Sequence, residues 1–201
     1  TLRADGPRRV SPFAIPMLMS NGASGMAAID LGIQGPSYSI ASACASGADA
    51  IGLAWTLLRA GVVEAVIAGA SEATITPLGV AAFDRVGALS RNEDVRCTPQ
   101  PFDRQRDGLV MGEGAAVLIL ERASHAKSRG ADILAELAGY AATSDAHHIT
   151  APAEDGSGGA RAIRQALESA RINADEISYI NAHGTGTILN DLSETRAIKS
   201  A

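Results

Sequence analysis

Short apolar runs bounded by turn residues alternate with segments of helical period, and this alternation constrains the fold of the chain more than any other feature. "YSIAS" (38–42) reads as a short buried strand. From Ala48 onward, apolar or small residues recur at Ile51, Gly52, Trp55 and Leu58, the spacing of one helix face, and the helix stops at Gly61. "EAVIAGA" (64–70) is a second buried strand, and its unbroken apolar character suits a parallel sheet. Pro77 opens a helix that runs to about Arg85, because proline is tolerated in a first turn. Residues 87–113, rich in Asp, Arg, Asn, Gln and Pro, form a long loop, and "AAVLILE" (115–121) is the next strand. A helix over 122–129 closes at Gly130, and "DILAELAGYAAT" follows as an extended segment. Beyond the polar loop 144–159, Ala160, Ile163, Leu167 and Ala170 mark an amphipathic helix. "ISYINA" (177–182) is a strand that ends at His183, and a further helix covers 191–201. The order predicts an α/β fold with a largely parallel sheet and excludes an all-β fold or a helical bundle. A change in composition near 128–134 divides the chain into residues 1–130 and 131–201.

Bulk composition narrows the class further. The 201 residues suffice for one sizeable core, and 46% hydrophobic with 19% charged residues excludes a disordered chain. A net charge of -5 argues against a general nucleic-acid binder, and 3% aromatic content leaves little for base stacking. Two cysteines, Cys44 and Cys97, provide no disulfide framework, which suggests a reducing, cytoplasmic setting. No secretory leader and no apolar run of membrane-spanning length is present. The sequence starts at Thr1 and stops within a helical pattern that lacks a C-cap, so it reads as a fragment of a longer protein.

The two cysteines differ in their surroundings. Cys97 lies in a polar loop, whereas Cys44, in "SYSIASACASGADAIGLAW" (37–55), stands between a strand and a helix among Ala43, Ala45, Ser46 and Gly47. A thiol there is accessible at a sharp turn, and the partial positive charge of a helix N-terminus favours its thiolate. Small neighbours leave room for an approaching substrate and for backbone N–H groups to face a developing oxyanion. The competing reading is a small buried hydrophobe, as many free cysteines are. "NAHGTGT" (181–187) repeats the strand-to-loop pattern at His183. Ligands of open α/β sheets bind beyond the carboxyl ends of the strands, where both residues are expected. A histidine so placed can donate a hydrogen bond to a carbonyl or enolate oxygen, although a structural loop histidine would look the same.

Five motifs in order, "ACASGADAIG", "TPLGVAAFDRVGALS", "PFDRQRDGLVMGEGAAVLILE", "DAHHITAPAEDG" and "INAHGTGTILNDLSET", make the chain resemble the β-ketoacyl-acyl carrier protein synthases of the condensing-enzyme family, synthase II in particular. The resemblance runs over essentially the whole chain. It implies a thiolase-like fold, a five-layered α-β-α-β-α arrangement in an intact homodimeric protein. Residues 1–130 would be the later part of the N-terminal half, and 131–201 the beginning of the C-terminal half. A lysine, a second histidine and a glycine-rich loop bearing phenylalanine, all typical of the family, have no match here, so the fragment alone is expected to be inactive.

Residue roles follow from the same resemblance. Cys44 matches the nucleophile that accepts an acyl chain from an acyl carrier protein thioester. His183 matches a catalytic histidine that assists decarboxylation of malonyl-carrier protein and stabilises the enolate-like oxygen. Asp191 and Glu194 match acidic residues that organise the active site, Glu194 by holding the unmatched lysine. Thr185 and Thr187 match threonines that bind the phosphopantetheine arm of the carrier, Thr150 lines the same tunnel, and Phe83 matches a side chain of the acyl pocket. Arg8 and Arg9 match a basic patch that meets the acidic carrier protein. Gly87 stands where relatives often carry arginine, which weakens that match. No bound cofactor is implied, since loss of carbon dioxide generates the nucleophile and the substrates ride on the carrier's phosphopantetheine.

"VMGEGAA" precedes a strand and lacks the GxGxxG spacing of a dinucleotide site. His125, His147 and His148 show no ligand spacing with the cysteines, which argues against zinc. The expected activity is 3-oxoacyl-[acyl-carrier-protein] synthesis in fatty-acid elongation. A polyketide ketosynthase subunit is the alternative, and a non-catalytic partner akin to chain-length factors is a third reading, opposed by the presence of Cys44.

Overall fold

The computed structural model describes residues 2–201. Its helices are α1 (Leu2–Asp5), α2 (Ala14–Leu18), α3 (Gly22–Leu31), α4 (Ser46–Arg59), α5 (Pro77–Val86), α6 (Ala123–Ser128), α7 (Ser157–Ala170) and α8 (Ile188–Ser200). Two strands, β1 (Ala65–Glu72) and β2 (Gly114–Glu121), form the sheet among the described residues. Single 3₁₀ turns at Pro7–Arg9, Ala43–Ala45, Val95–Cys97 and Ala174–Glu176 punctuate the loops.

The sheet corrects the parallel expectation. β1 and β2 run antiparallel, in register from Ala65 opposite Glu121 to Glu72 opposite Gly114. Parallel pairing among the described residues is limited to the isolated bridge between Leu89 and Leu109. Alternation of strand and helix does not fix strand direction, because the long connection 73–113 lets the chain return from either end of the sheet. The runs 38–42 and 177–182 belong to no ladder. A strand exists only through a neighbouring strand that takes its N–H and C=O groups, and the described residues supply no such partner strand to either run.

Local chemistry sets the helix ends. Thr76 caps α5, its Oγ1 accepting from the Gly79 N–H at 3.0 Å, with Pro77 in the first turn and Gly87 in the left-handed region after the last. Thr187 caps α8 in the same way and accepts from the Asn190 N–H. The sequence reading starts that helix at 191, three residues later than Ile188.

α4 packs along β1, close enough that a Cβ on Gly47 would lie 3.0 Å from the Ala70 Cβ. The segment 132–143 lies between α4 and α7 and bonds to both. On one side the Trp55 indole N–H donates to the Leu137 carbonyl at 3.1 Å, and the Tyr140 hydroxyl donates to Asp49 Oδ1 at 2.6 Å, both on α4. A Cβ on Gly52 would clash with the Tyr140 ring, so this helix glycine is what admits the ring. On the other side Gly139 lies against Ala166 and Ala170 of α7, and the Thr143 hydroxyl donates to the Gly158 carbonyl at 2.8 Å.

The chain exposes 14857 Å², against about 8,900 Å² for a compact monomer of this mass. The exposed surface includes large apolar side chains: Met17 is 81% exposed, Ile29 77% and Ile119 69%. Stably folded soluble proteins cover apolar faces of that extent.

Candidate active site

Cys44 occupies the 3₁₀ turn Ala43–Ala45, which runs directly into α4 at Ser46. Ala43, just before it, adopts a positive φ of 52°, a conformation that costs a residue with a Cβ and marks a sharply turned backbone. The turn is pinned by Ser46, whose hydroxyl accepts from the Ser42 N–H at 2.9 Å and donates to the Ala43 carbonyl at 2.7 Å. The thiol is exposed and makes no hydrogen bond among the described residues. It stands at the head of α4, exposed to solvent.

One turn into α4, Asp49 anchors the helix. Hydrogen bonds from Ser42 and then Tyr140 hold its carboxyl below the ordinary carboxylate range. The same bond from Tyr140 to Asp49, with some burial, pushes the Tyr140 hydroxyl up to about 12.

The His183 region is built quite differently. The Glu194 carboxylate reaches back from α8 and accepts the His183 N–H at 2.6 Å and the Gly184 N–H at 2.9 Å. Asn190 Nδ2 donates to Glu194 Oε2 at 3.3 Å and to Asp191 Oδ1 at 3.1 Å, tying the two carboxylates together. The Asp191 side chain is only 1% exposed, yet it is fully engaged. It accepts the Gly186 N–H at 3.2 Å and the Phe102 N–H at 2.7 Å, and faces Arg106 Nε at 3.4 Å. The Thr185 and Thr187 hydroxyls are 2.8 Å apart. Gly186 has φ 75°, and a Cβ there would press to 2.7 Å from the Gly108 carbonyl oxygen, so the loop needs glycine on both counts. The imidazole of His183 is exposed and carries no bond of its own; the loop is held through its backbone.

The structure thus gathers His183, Thr185, Thr187, Asp191 and Glu194 into one network. Cys44 shares no hydrogen bond with that network. Phe83 lies on α5, 40% exposed. Thr150 sits in an exposed bend, where its N–H donates to His148 Nδ1 at 3.1 Å. Arg8 and Arg9 are exposed in the Pro7–Arg9 turn. Cys97 is exposed with its sulfur 3.6 Å from Asp94 Oδ2, and His125 lies on α6 with Nδ1 2.9 Å from Glu121 Oε2. Among the described residues no three His, Cys, Asp or Glu side chains cluster as a metal site, and no helix is long and apolar enough to cross a membrane.

Three residues with a part in this arrangement went unassigned in the sequence reading. Phe102 supplies the N–H to Asp191 from a positive φ of 65° and lays its ring against Gly184. Arg106 meets Asp191 and α8, and Glu113 Oε1 accepts the Ile75 N–H at 2.8 Å, fixing the chain before α5. Their motif was visible, but nothing in a polar loop reveals which of its charges turns inward.

Comparison with solved structures places this backbone. A chain of the assembly described as type II PKS acyl-carrier protein in complex with its ketosynthase superposes with a TM-score of 0.92 at 39% identity, over 96% of this chain and 48% of that one. The ishigamide ketosynthase/chain length factor gives 0.88 at 34% identity, over 100% of this chain and 49% of that one. The fold is the thiolase-like fold of ketosynthases. The family described as Beta-ketoacyl synthase matches over both its N-terminal domain, residues 1–126, and its C-terminal domain, residues 134–201, and the chain belongs to that family. The 3-oxoacyl-[acyl-carrier-protein] synthase 2 of Synechocystis sp. is 53% identical over 197 residues, covering 98% of this chain. The chain spans 47% of the length of that relative.

Proposed function

We propose that this chain supplies the nucleophile and one catalytic histidine of a 3-oxoacyl-[acyl-carrier-protein] synthase of the synthase II type. The observation that carries the reading is the contrast at the site: an unbonded, exposed thiol at the head of α4, and a histidine whose backbone is clamped while its ring stays free. The Cys44 thiolate attacks the acyl thioester on the carrier's phosphopantetheine arm. Its sulfur becomes acylated and the arm departs as a thiol. Malonyl-carrier protein then loses carbon dioxide, and His183 donates a hydrogen bond to the resulting enolate oxygen. The enolate carbon attacks acyl-Cys44, forming the new carbon–carbon bond and releasing the Cys44 thiolate. Thr185 and Thr187 bind the arm, Thr150 lines the same tunnel, and Phe83 borders the acyl chain. Asp191 and Glu194 hold the loop that carries His183.

The acyl carrier protein is the partner, docking through Arg8 and Arg9, and the intact enzyme is a cytoplasmic homodimer with residues 1–130 and 131–201 in its two halves. The 53% identity to a 3-oxoacyl-[acyl-carrier-protein] synthase 2 favours fatty-acid elongation, whereas the likeness to a type II PKS ketosynthase supports polyketide extension as the second reading. The 201-residue chain by itself is inactive in this proposal, because it spans 47% of the length of its Synechocystis relative and loss of even one electrostatic donor costs about 10²–10³ in rate.

The test is mass spectrometry of the full-length protein after incubation with hexanoyl- or palmitoyl-carrier protein. Acyl mass on the peptide containing Cys44 supports the reading. A folded protein that acquires none is a partner subunit instead.

A further inference from the structure

Arg106 comes from the loop 87–113, yet most of its contacts are with α8. Its Nε lies 3.4 Å from Asp191 Oδ2 and donates to the Thr187 carbonyl at 3.3 Å. Nη2 donates to the Ile188 carbonyl at 3.1 Å, and Nη1 donates to the carbonyl of Asp103 in its own loop at 2.9 Å. Every nitrogen of the guanidinium is therefore used, on three carbonyls and one carboxylate, with the side chain 17% exposed. A cation at a helix N-terminus opposes the helix dipole, so this placement is unfavourable without the Asp191 carboxylate to compensate it. The residues it grips are the ones on which the site depends. Thr187 is the α8 cap and the neighbour of Thr185; Asp191 holds Gly186; Glu194, one turn further on, holds His183 and Gly184.

We infer that Arg106 is a positioning residue for the condensation step: it locks the N-terminal turn of α8 against the loop 98–109 and thereby sets where His183, Thr185 and Thr187 stand. The inference rests on the condensation proposed above. Its geometry demands a planar fork with donors in three directions, which lysine does not provide. Arg106 makes no hydrogen bond to Cys44 or to α4, so the acyl-transfer step should be insensitive to it.

The experiment compares the full-length wild type with R106Q and R106K, measuring acylation of Cys44 by hexanoyl-carrier protein, condensation with malonyl-carrier protein, and thermal midpoint. Misplacement of a catalytic group by about 1 Å costs roughly a hundredfold in rate. The expected result is therefore acylation within about twofold of wild type for both variants, with condensation reduced about tenfold to a hundredfold, R106K included. R106K retains the positive charge opposite Asp191, so it answers the question if R106Q does not fold. An active wild type with R106K condensing at the wild-type rate overturns the inference alone. Equal loss of acylation and condensation, or failure of both variants to fold, also overturns it, since Arg106 is then a general structural ion-pair member. A folded wild type that neither acylates nor condenses removes the proposed function and this inference with it.

Discussion

The two halves of the candidate site are held by opposite means. Around His183, two carboxylates and one arginine bind the backbone N–H or C=O groups of five residues between 183 and 188. Around Cys44, a serine pins the turn and the exposed thiol makes no hydrogen bond among the described residues. A nucleophile that must exchange partners in each cycle gains nothing from a tight bond in the resting state. A histidine that must meet an oxygen at one position gains much from a fixed loop, because preorganised donors need no reorganisation during reaction. The division also separates the proposed chemistry from stability: the sulfur proposed as nucleophile sits where structural bonds are few.

Removing the proposed nucleophile tests that separation most severely. Cys44→Ala in the full-length protein should abolish acylation and lower condensation by more than about a thousandfold, as loss of a covalent nucleophile does. Its thermal midpoint should remain within a degree or two of wild type, since an exposed, unbonded thiol contributes little. A large drop in midpoint would show that Cys44 is a structural element and break the comparison.

Asp191→Ala should show the reverse emphasis. Deleting one partner of a buried, hydrogen-bonded ion pair costs about 3–5 kcal/mol. It also leaves the N–H groups of Phe102 and Gly186 without their acceptor. Chemical denaturation of the full-length protein should show a loss of that order, with condensation falling alongside it. A loss below about 1 kcal/mol would mean that the network is ornamental to folding.

Tyr140→Phe probes the weaker anchoring of α4 and gives the smallest effect. It removes the bond to Asp49, worth about 1–2 kcal/mol. The sign of its pH dependence follows from the Tyr140 hydroxyl being raised to about 12 in the folded protein, above an ordinary value of 10.0. The neutral hydroxyl is the form the fold favours, so its contribution is complete below about pH 10 and is lost as the pH rises from there toward 12. The stability gap between wild type and Tyr140→Phe should accordingly close over that range. A gap that stays constant would detach Tyr140 from Asp49.

Much of this was legible in the chain itself, for identifiable reasons. Helices α4, α5 and α7 announce themselves through apolar spacing, Pro77 and terminal glycines, all local effects. β1 and β2 are apolar runs recognisable within a residue or two of their ends. α2 and α3 carry no such signature; apolar residues lie all around α3, and the sequence reading assigned it no element. The runs 38–42 and 177–182 have strand composition but no partner, and pairing is a property of two segments, which composition of one cannot supply. Glu194 shows the same limit in side-chain form: the resemblance marks it as an acidic residue of the site, but only the fold brings the His183 and Gly184 N–H groups to it.

The sequence by itself determined where the chain turns, which runs are apolar, and that a cysteine and a histidine each follow an apolar run in a bed of small residues. Those are consequences of backbone propensity and side-chain size, which act over a few residues. Only the tertiary structure decided that β1 and β2 run antiparallel, that Arg106 faces Asp191 across 85 positions of chain, and that Glu194 clamps the His183 loop. Each of these depends on two distant segments meeting, and the energy that fixes them, the satisfaction of buried charges and N–H groups, exists only once they have met.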